Sequence, residues 1–268
     1  RLPRARGFLR PRRFSPDPGL EPRPVALSIG MLLDGPLRAD ARVQKEARAL
    51  EARGHRVHLL VAEQAPREPE PPGLRVDRLP LPRGLEGTLR GFRAALTFVD
   101  PGWEPAIRDF ARRHRLDAIH VHDLPLVETA RRVARQLGLR VVADLHENYP
   151  YLLQRIVDVR RLRYRFLFDY ERWRRYEARA VAGVDHVIVV IEEARERLAR
   201  EAGLDPARVS VVANYVVLSE DEPVAAPASG LELLYVGVLN DHRGLDTTID
   251  ALPAILAKAP LARLTIVG

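Results

Sequence analysis

Two histidines one residue apart close an apolar run in AIHVHDLP, Ala118 to Pro125, and an aspartate follows them. On a strand the side chains of His120 and His122 share one face, while Ile119 and Val121 share the other. A pair of imidazoles so placed can ligate a metal ion or sit as ordinary sheet residues satisfied by backbone. It can also reach into a crevice and hydrogen-bond sugar hydroxyls, because imidazole titrates near pH ~6.5. A second polar strand end, DLHE at Asp144 to Glu147, could extend a metal set of His120, His122, Asp144 and His146, similar to the His-x-His pairs of metal-dependent hydrolases. No further Asp-His pair follows His122, and the later histidines are scattered.

Two other stretches could meet a phosphate. GMLLDGPLRAD, Gly30 to Asp40, reads as a loop from the first strand to the first helix, where backbone N–H groups and a helix N-terminus can face an anion; an ordinary turn fits as well. Gly30 and Gly35 are too far apart for a G-x-G-x-x-G turn, which argues against a dinucleotide oxidoreductase. In YVGVLNDHRGLDTTIDAL a strand ends at Gly237, a loop carries His242 and Arg243, and Gly244 turns into a helix. An arginine there can fork onto a diphosphate, or stand as a solvated loop residue.

The elements that must position these groups alternate as in a parallel α/β sheet. Strand-like runs are VALSIG from Val25, HRVHLLVA from His55, LRVDRLPL from Leu74, LDAIHVH from Leu116, LRVVADLH from Leu139, DHVIVVI from Asp185 and RVSVVAN from Arg208. Asp40 can cap a helix with Val43, Ala47 and Leu50 on one face and Gly54 at its stop; Val127, Ala130, Ala134 and Leu137 form a second stripe, ended by Gly138. Ligand crevices of such sheets lie outside the carboxyl ends of the strands, where the polar residues stand. Residues 25–216 thus read as one Rossmann-like domain and 217–230, acidic and proline-bearing, as a linker. Residues 231–268 begin a second α/β unit, with a helix over Leu245 to Lys258.

The 268 residues are 46% apolar, enough to build real cores, and no run approaches the ~20 apolar residues of a membrane helix. The basic, proline-rich tail 1–24 lacks the apolar centre of a secretory signal and is expected to be disordered. The absence of cysteine excludes disulfides and thiolate metal sites, and the expected location is cytoplasmic. The net charge of +7 comes with only two lysines, Lys45 and Lys258, and with no nucleic-acid motif, so nucleic acid is not an expected partner. The chain starts without methionine and stops on a strand-like run, as expected of a fragment.

The ordered set DARVQKEARALEARGHRVHLL, DAIHVHDLP, DLHENYP, the run from Glu177 to Val216, and LLYVGVLNDHRGLDTTIDAL resembles the GT-B-fold glycosyltransferases of family 4, the retaining group often called group 1. The resemblance runs from about Val25 to Gly268. It implies two Rossmann-like domains facing across a cleft, the acceptor on the first and a nucleotide-sugar such as a UDP- or GDP-sugar on the second. It also implies transfer with retention, no metal and no cofactor. On that pattern His122 reaches the transferred sugar, and the loop with Gly30 and Gly35 faces the diphosphate. Arg243, flanked by Gly237 and Gly244, neutralises the leaving group. Asp40, Arg42, His120, Asp123, His146, Glu147 and Asn214 would line the cleft. Val238 replaces a second phosphate-binding arginine of many relatives, and the family's acidic E-x7-E segment falls beyond Gly268, so the chain alone is expected to be inactive.

The acceptor is expected to be a carbohydrate or a lipid-linked molecule of the cell envelope. Leu162, Phe166, Tyr170 and Trp173 fall on one helical face amid arginines between 160 and 180, a pattern that serves core packing or contact with an anionic membrane at the inner face. The competing functions are a metal-dependent hydrolase built on His120, His122, Asp144 and His146, and a non-catalytic binding domain.

Overall fold

The computed structural model describes residues 25–62, 71–82, 84–156, 166–215, 230–239 and 243–268. The tail 1–24, nearly all of the expected linker, Leu162 and His242 lie outside the described residues. The described chain separates into two units, 1–215 and 216–268.

The first unit is built on a seven-stranded parallel sheet. Its strands are β1 (Ser28–Leu33), β2 (Arg56–Ala62), β3 (Val76–Leu79), β4 (Ala118–His122), β5 (Arg140–Leu145), β6 (His186–Val189) and β7 (Val209–Val211), in the order β3-β2-β1-β4-β5-β6-β7. The direction of winding reverses between β1 and β4, so their carboxyl ends frame the crevice that such sheets use for ligands.

Period-two alternation sends each strand's residues to two different cores. Ile119 and Val121 of β4 and Val141, Ala143 and Leu145 of β5 join a large cluster under helices α3 (Trp103–His114), α4 (Leu124–Leu137), α6 (Tyr170–Ala182) and α7 (Glu192–Ala202). On the opposite face Ile29, Met31 and Leu33 of β1 and Val57, Leu59 and Val61 of β2 pack under Val43 and Ala47 of helix α1 (Ala41–Ala52). That apolar face stops at β4, where His120 and His122 occupy the positions facing α1's side of the sheet.

Helix α1 is capped as its sequence anticipates, with the Asp40 carboxylate accepting from the backbone N–H groups of Arg42 and Val43. The stretch from Gly30 differs from expectation. Strand β1 continues to Leu33, so Gly30 is an interior strand residue and the loop begins at Asp34. A Cβ on Gly30 would stand 2.9 Å from Phe110 Cε1 and closer still to Leu116 Cδ1, which explains the glycine by close packing rather than by a turn.

Helix α2 (Gly84–Thr97) also departs from the usual rule, since its large apolar residues Leu85, Leu89, Phe92 and Leu96 are all exposed. Spaced at four, three and four, they form one stripe, while small residues take the inner side: Ala95 is buried and a Cβ on Gly87 would press on the Pro82 carbonyl. Helix α5 (Tyr149–Ile156) follows β5. In α6 Trp173 and Tyr176 pack around Phe98, whereas Phe166 is exposed; among the described residues of the expected stripe, only Trp173 is buried in the core.

The second unit contains β8 (Glu232–Val236), helix α8 (Leu245–Lys258) and β9 (Arg263–Val267), with β8 and β9 paired in parallel. No helix among the described residues is long and apolar enough to cross a membrane.

Candidate active site

Strand pairing brings the polar strand ends together. In the β4–β5 ladder His122 stands opposite Asp144 and His120 opposite Val142, so both histidines and the aspartate share the face on α1's side. The Asp144 carboxylate is fully buried, and its Oδ2 lies 3.4 Å from His120 Nε2, 3.2 Å from His122 Nδ1 and 3.2 Å from His146 Nε2. Glu46, from α1, brings its Oε2 to 3.7 Å from His120 Nε2. The imidazoles of His120 and His122 stack at 4.6 Å and those of His122 and His146 at 5.6 Å.

These close approaches are poorly aligned as hydrogen bonds. Both Asp144 oxygens, Glu46 Oε2, His120 Nε2 and His122 Nε2 are buried without a hydrogen-bond partner among the described residues. Burial alone would raise the Asp144 carboxyl, but the three imidazoles outweigh it and hold it well below the usual carboxylate range. Glu46 is pushed up, first by burial and then by the Asp144 charge. Burial lowers His122 to about 4 against the pull of Asp144, so its ring is neutral at pH 7. His146 moves up, because Asp144 overrides the effect of burial.

An outer ring of charges surrounds this cluster. Arg42 grips Asp40 through two bonds of 3.0 and 2.9 Å and lies in the field of Asp123 and Glu147. Asp123 links β4 to α4 with φ +64, unusual for a non-glycine residue, and its N–H donates to the Asp144 carbonyl at 2.9 Å. Burial pushes the Asp123 carboxyl up, with His146 and Arg42 opposing. Beyond His146 a 350 Å³ cavity opens at the carboxyl ends of β5 and β6, lined among others by Glu147, Asn148, Glu193 and Arg197.

The structure therefore gathers Asp40, Arg42, His120, His122, Asp123, His146 and Glu147 at one end of the sheet. His122 is enclosed, at 1% exposure. Gly35 is half-buried on the β1–α1 loop, and Gly30 lies within the strand, away from that loop. Asn214 is exposed after β7, next to Tyr215, whose carbonyl accepts from Lys45 Nζ on α1 at 2.7 Å. Arg243, Gly237 and Gly244 belong to the second unit: Arg243 is exposed and Gly244, at φ +69, caps α8. Sequence reading missed Glu46. Its signal was its place on α1, three residues after Val43 and four before Leu50, a carboxylate on an otherwise apolar stripe.

Residues 39–215 match the model of the glycosyl transferase 4-like domain. Among characterised proteins the chain is 27% identical over 169 residues to the phosphatidylinositol N-acetylglucosaminyltransferase gpi3 subunit of Schizosaccharomyces pombe, covering 61% of this chain and 34% of that protein. It is 23% identical over 171 residues to a phosphatidylinositol N-acetylglucosaminyltransferase subunit from Arabidopsis thaliana, covering 62% and 35%. The chain thus spans about a third of the length of these relatives. In fold it resembles sucrose-phosphate synthase from Thermosynechococcus elongatus, with TM-score 0.65 and 19% identity over 90% of this chain and 62% of the other. It also resembles a glycosyltransferase from Rickettsia africae, with TM-score 0.56 and 9% identity over 91% and 69%.

Proposed function

Because the chain belongs to the glycosyl transferase 4-like family, we propose that it forms the acceptor-side domain, 25–216, and the start of the donor-side domain, 231–268, of a GT-B glycosyltransferase. The enzyme moves a sugar from a nucleotide diphosphate to its acceptor with retention of anomeric configuration. The observation that carries this reading is the convergence of Asp40, Arg42, Asp123, His146 and Glu147 at the β1/β4 switch point, around a histidine whose Nε2 has no partner among the described residues. An enclosed nitrogen of that kind gains from a sugar hydroxyl that reaches it, since an unpaired buried polar atom costs about 1–3 kcal/mol.

Breaking the sugar–phosphate bond builds charge on the leaving diphosphate. In this reading Arg243 and the α8 N-terminus at Gly244 meet that charge, with no metal bridge between protein and phosphates. Gly237 leaves room for the phosphates, and Gly35 presents backbone to them. Gly30 contributes only through the packing of β1.

The acceptor is lipid-linked in this reading, and the enzyme works at the cytoplasmic face of a membrane. The relatives named for phosphatidylinositol and the outward apolar stripe of α2 support that view. With about a third of the relatives' length, residues 1–268 alone turn over no donor.

The test is transfer from UDP- and GDP-sugars by the longer protein that carries this chain, followed by NMR of the product's anomeric centre. His122→Ala and Arg243→Ala should each lower kcat by roughly 100-fold, the scale of a lost electrostatic contact. Wild-type turnover in both variants removes the assigned roles, and an inverted product removes the mechanism. Turnover that depends on added Mg²⁺ or Mn²⁺ removes the metal-free leaving group.

A further inference from the structure

A cavity of 480 Å³ in the first unit lies between the β1–α1 loop, the segment after β3 and helix α2, lined among others by Asp34, Pro82, Thr88, Arg90, Gly91 and Asp100. It shares Leu81, Pro82 and Arg90 with a groove of 860 Å³ whose remaining wall is mostly apolar and includes Leu79, Leu85 and Leu89. On the reading of this unit as the acceptor side, we infer that the two together hold the glycosyl acceptor. That acceptor is an amphiphile, with an uncharged, hydroxyl-bearing head among Asp34, Thr88 and Arg90 and an apolar part along Leu81, Leu85 and Leu89.

Two polar groups call for an occupant. Arg90 Nε donates to Asp100 Oδ1 at 2.7 Å, and the guanidinium lies flat against Gly102, where a Cβ would stand 2.6 Å from Arg90 Cζ. Its Nη groups make no hydrogen bond among the described residues, although the side chain is only 12% exposed. Such N–H groups gain most from a partner that enters the cavity. Trp103 is 0% exposed, and its indole N–H, which faces Asp34, has no hydrogen-bond partner among the described residues. Asp34 itself is exposed to the cavity. Desolvation by the surrounding protein nonetheless pushes its carboxyl above the ordinary range, with Asp100 adding to the rise and Arg90 and Trp103 opposing it.

This set selects hydroxyl groups. Asp34 and Asp100 together repel a phosphate and Arg90 repels an amine, whereas a hydroxyl can accept from Arg90 and donate to Asp34. Helix α2 leaves the space. The Pro82 carbonyl accounts for Gly87, but at Gly91 no atom of the described residues, its chain neighbours and own helix backbone aside, lies within 4 Å of an added Cβ. Glycine weakens a helix relative to alanine, so an open position there is a loss that an occupant explains. Burial pushes the Tyr149 hydroxyl up to about 12, and Asp123 and Asp34 both add to the rise, which sets the head beside the polar ring at the switch point. Leu85 and Leu89 offer their exposed side chains to the apolar part.

The test separates this site from the transferase reading it rests on. Saturation-transfer NMR of n-octyl β-D-glucopyranoside, below its micelle concentration, on the longer protein that carries this chain needs neither donor nor transfer. Ring and alkyl protons should both receive saturation, and octyl phosphate should bind at least ~10-fold more weakly, since its charge meets two carboxylates. Gly91→Leu should weaken glucoside binding by at least ~10-fold by filling the cavity, without loss of Tm, because leucine is the better helix former. Asp34→Asn, which keeps the shape, should weaken it several-fold. Glucoside binding that Gly91→Leu abolishes, in a protein that transfers no sugar, keeps the amphiphile site and removes the transferase. Transfer with an acceptor KM unchanged in Gly91→Leu keeps the transferase and removes the site. Equal affinity for glucoside and phosphate, or glucoside affinity unchanged in Gly91→Leu, would likewise overturn it.

Discussion

The same substitution should destabilise the fold at one glycine of the β1 region and leave its stability unchanged at another. At Gly30 a methyl group would stand about 0.6 Å inside the ordinary ~3.5 Å carbon contact with Phe110 Cε1, and deeper still into Leu116. Phe110 and Leu116 are 2% and 6% exposed, so neither can swing into solvent to make room. Overpacking of this kind costs ~1–3 kcal/mol, offset by the ~0.4–1 kcal/mol gained from a stiffer unfolded chain. For Gly30→Ala the net is ~1–2 kcal/mol, a fall in Tm of a few degrees for a chain of this size. At Gly35 no atom of the described residues beyond its chain neighbours lies within 4 Å of the added carbon, so Gly35→Ala should leave Tm within about a degree. If Gly35 lets the backbone approach a diphosphate, its methyl group should instead raise KM for the donor in the longer protein. Thermal denaturation followed by circular dichroism, beside donor kinetics, separates the two. An undiminished Tm in Gly30→Ala would refute the packing account of this glycine.

Glu177 of α6 and Arg197 of α7 pair at 2.6 and 2.9 Å with the carboxylate almost wholly buried, so Glu177→Ala should cost ~3–5 kcal/mol in urea unfolding. Adding Arg197→Met should restore part of that loss, and a fully additive double mutant would count against the pairing. At the α1 cap, burial pushes the Asp40 carboxyl up, but the Arg42 guanidinium outweighs it and holds the group below its ordinary value. A lowered carboxyl stabilises the fold above its unfolded pKa and loses that contribution as the pH falls through the folded value. The stability advantage of Asp40 over Asp40→Asn, which keeps the cap but not the ion pair, should therefore shrink as the pH falls below about 5; a constant gap refutes it. On α2, Leu89→Glu and Phe92→Glu change side chains that are 60% and 50% exposed, so stability should stay within ~0.5 kcal/mol. Sedimentation with anionic lipid vesicles should fall several-fold, and undiminished sedimentation would remove α2 from the membrane contact.

What was legible in the sequence followed the range over which each signal acts. The α/β order, the Asp40 cap and the Gly138 stop depend on a few neighbouring residues, and all three are present in the fold. In a sequence glycine reads as punctuation, whereas the reason Gly30 is glycine lies in Phe110 and Leu116, about eighty positions away. Residues 84–114 carry no element in the sequence-based expectation, yet α2 and α3 form there. The regular spacing of Leu85, Leu89, Phe92 and Leu96 marks a helix but is silent on whether its stripe turns inward, and here the glycine and alanine side does.

The polar cluster shows the same limit in its sharpest form. The side of β4 that carries His120 and His122 could be read from AIHVHD alone, but the partners of those rings depend on register. Only the pairing that sets His122 against Asp144 puts both on one face, and a slip by one residue would send Asp144 into the apolar core beneath α4. Glu46 adds a constraint from outside the sheet, since α1 must cross β1 at an angle that buries Val43 and Ala47 and still delivers a carboxylate to β4. Met31 and Leu33 show that this face could have been apolar throughout. Two carboxylates and three imidazoles there forgo hydrophobic burial worth about 1.5–3 kcal/mol for each large side chain. The three imidazoles around Asp144 offset part of that cost, and the atoms of Asp144, Glu46 and His120 without a hydrogen-bond partner among the described residues mark where the rest is left.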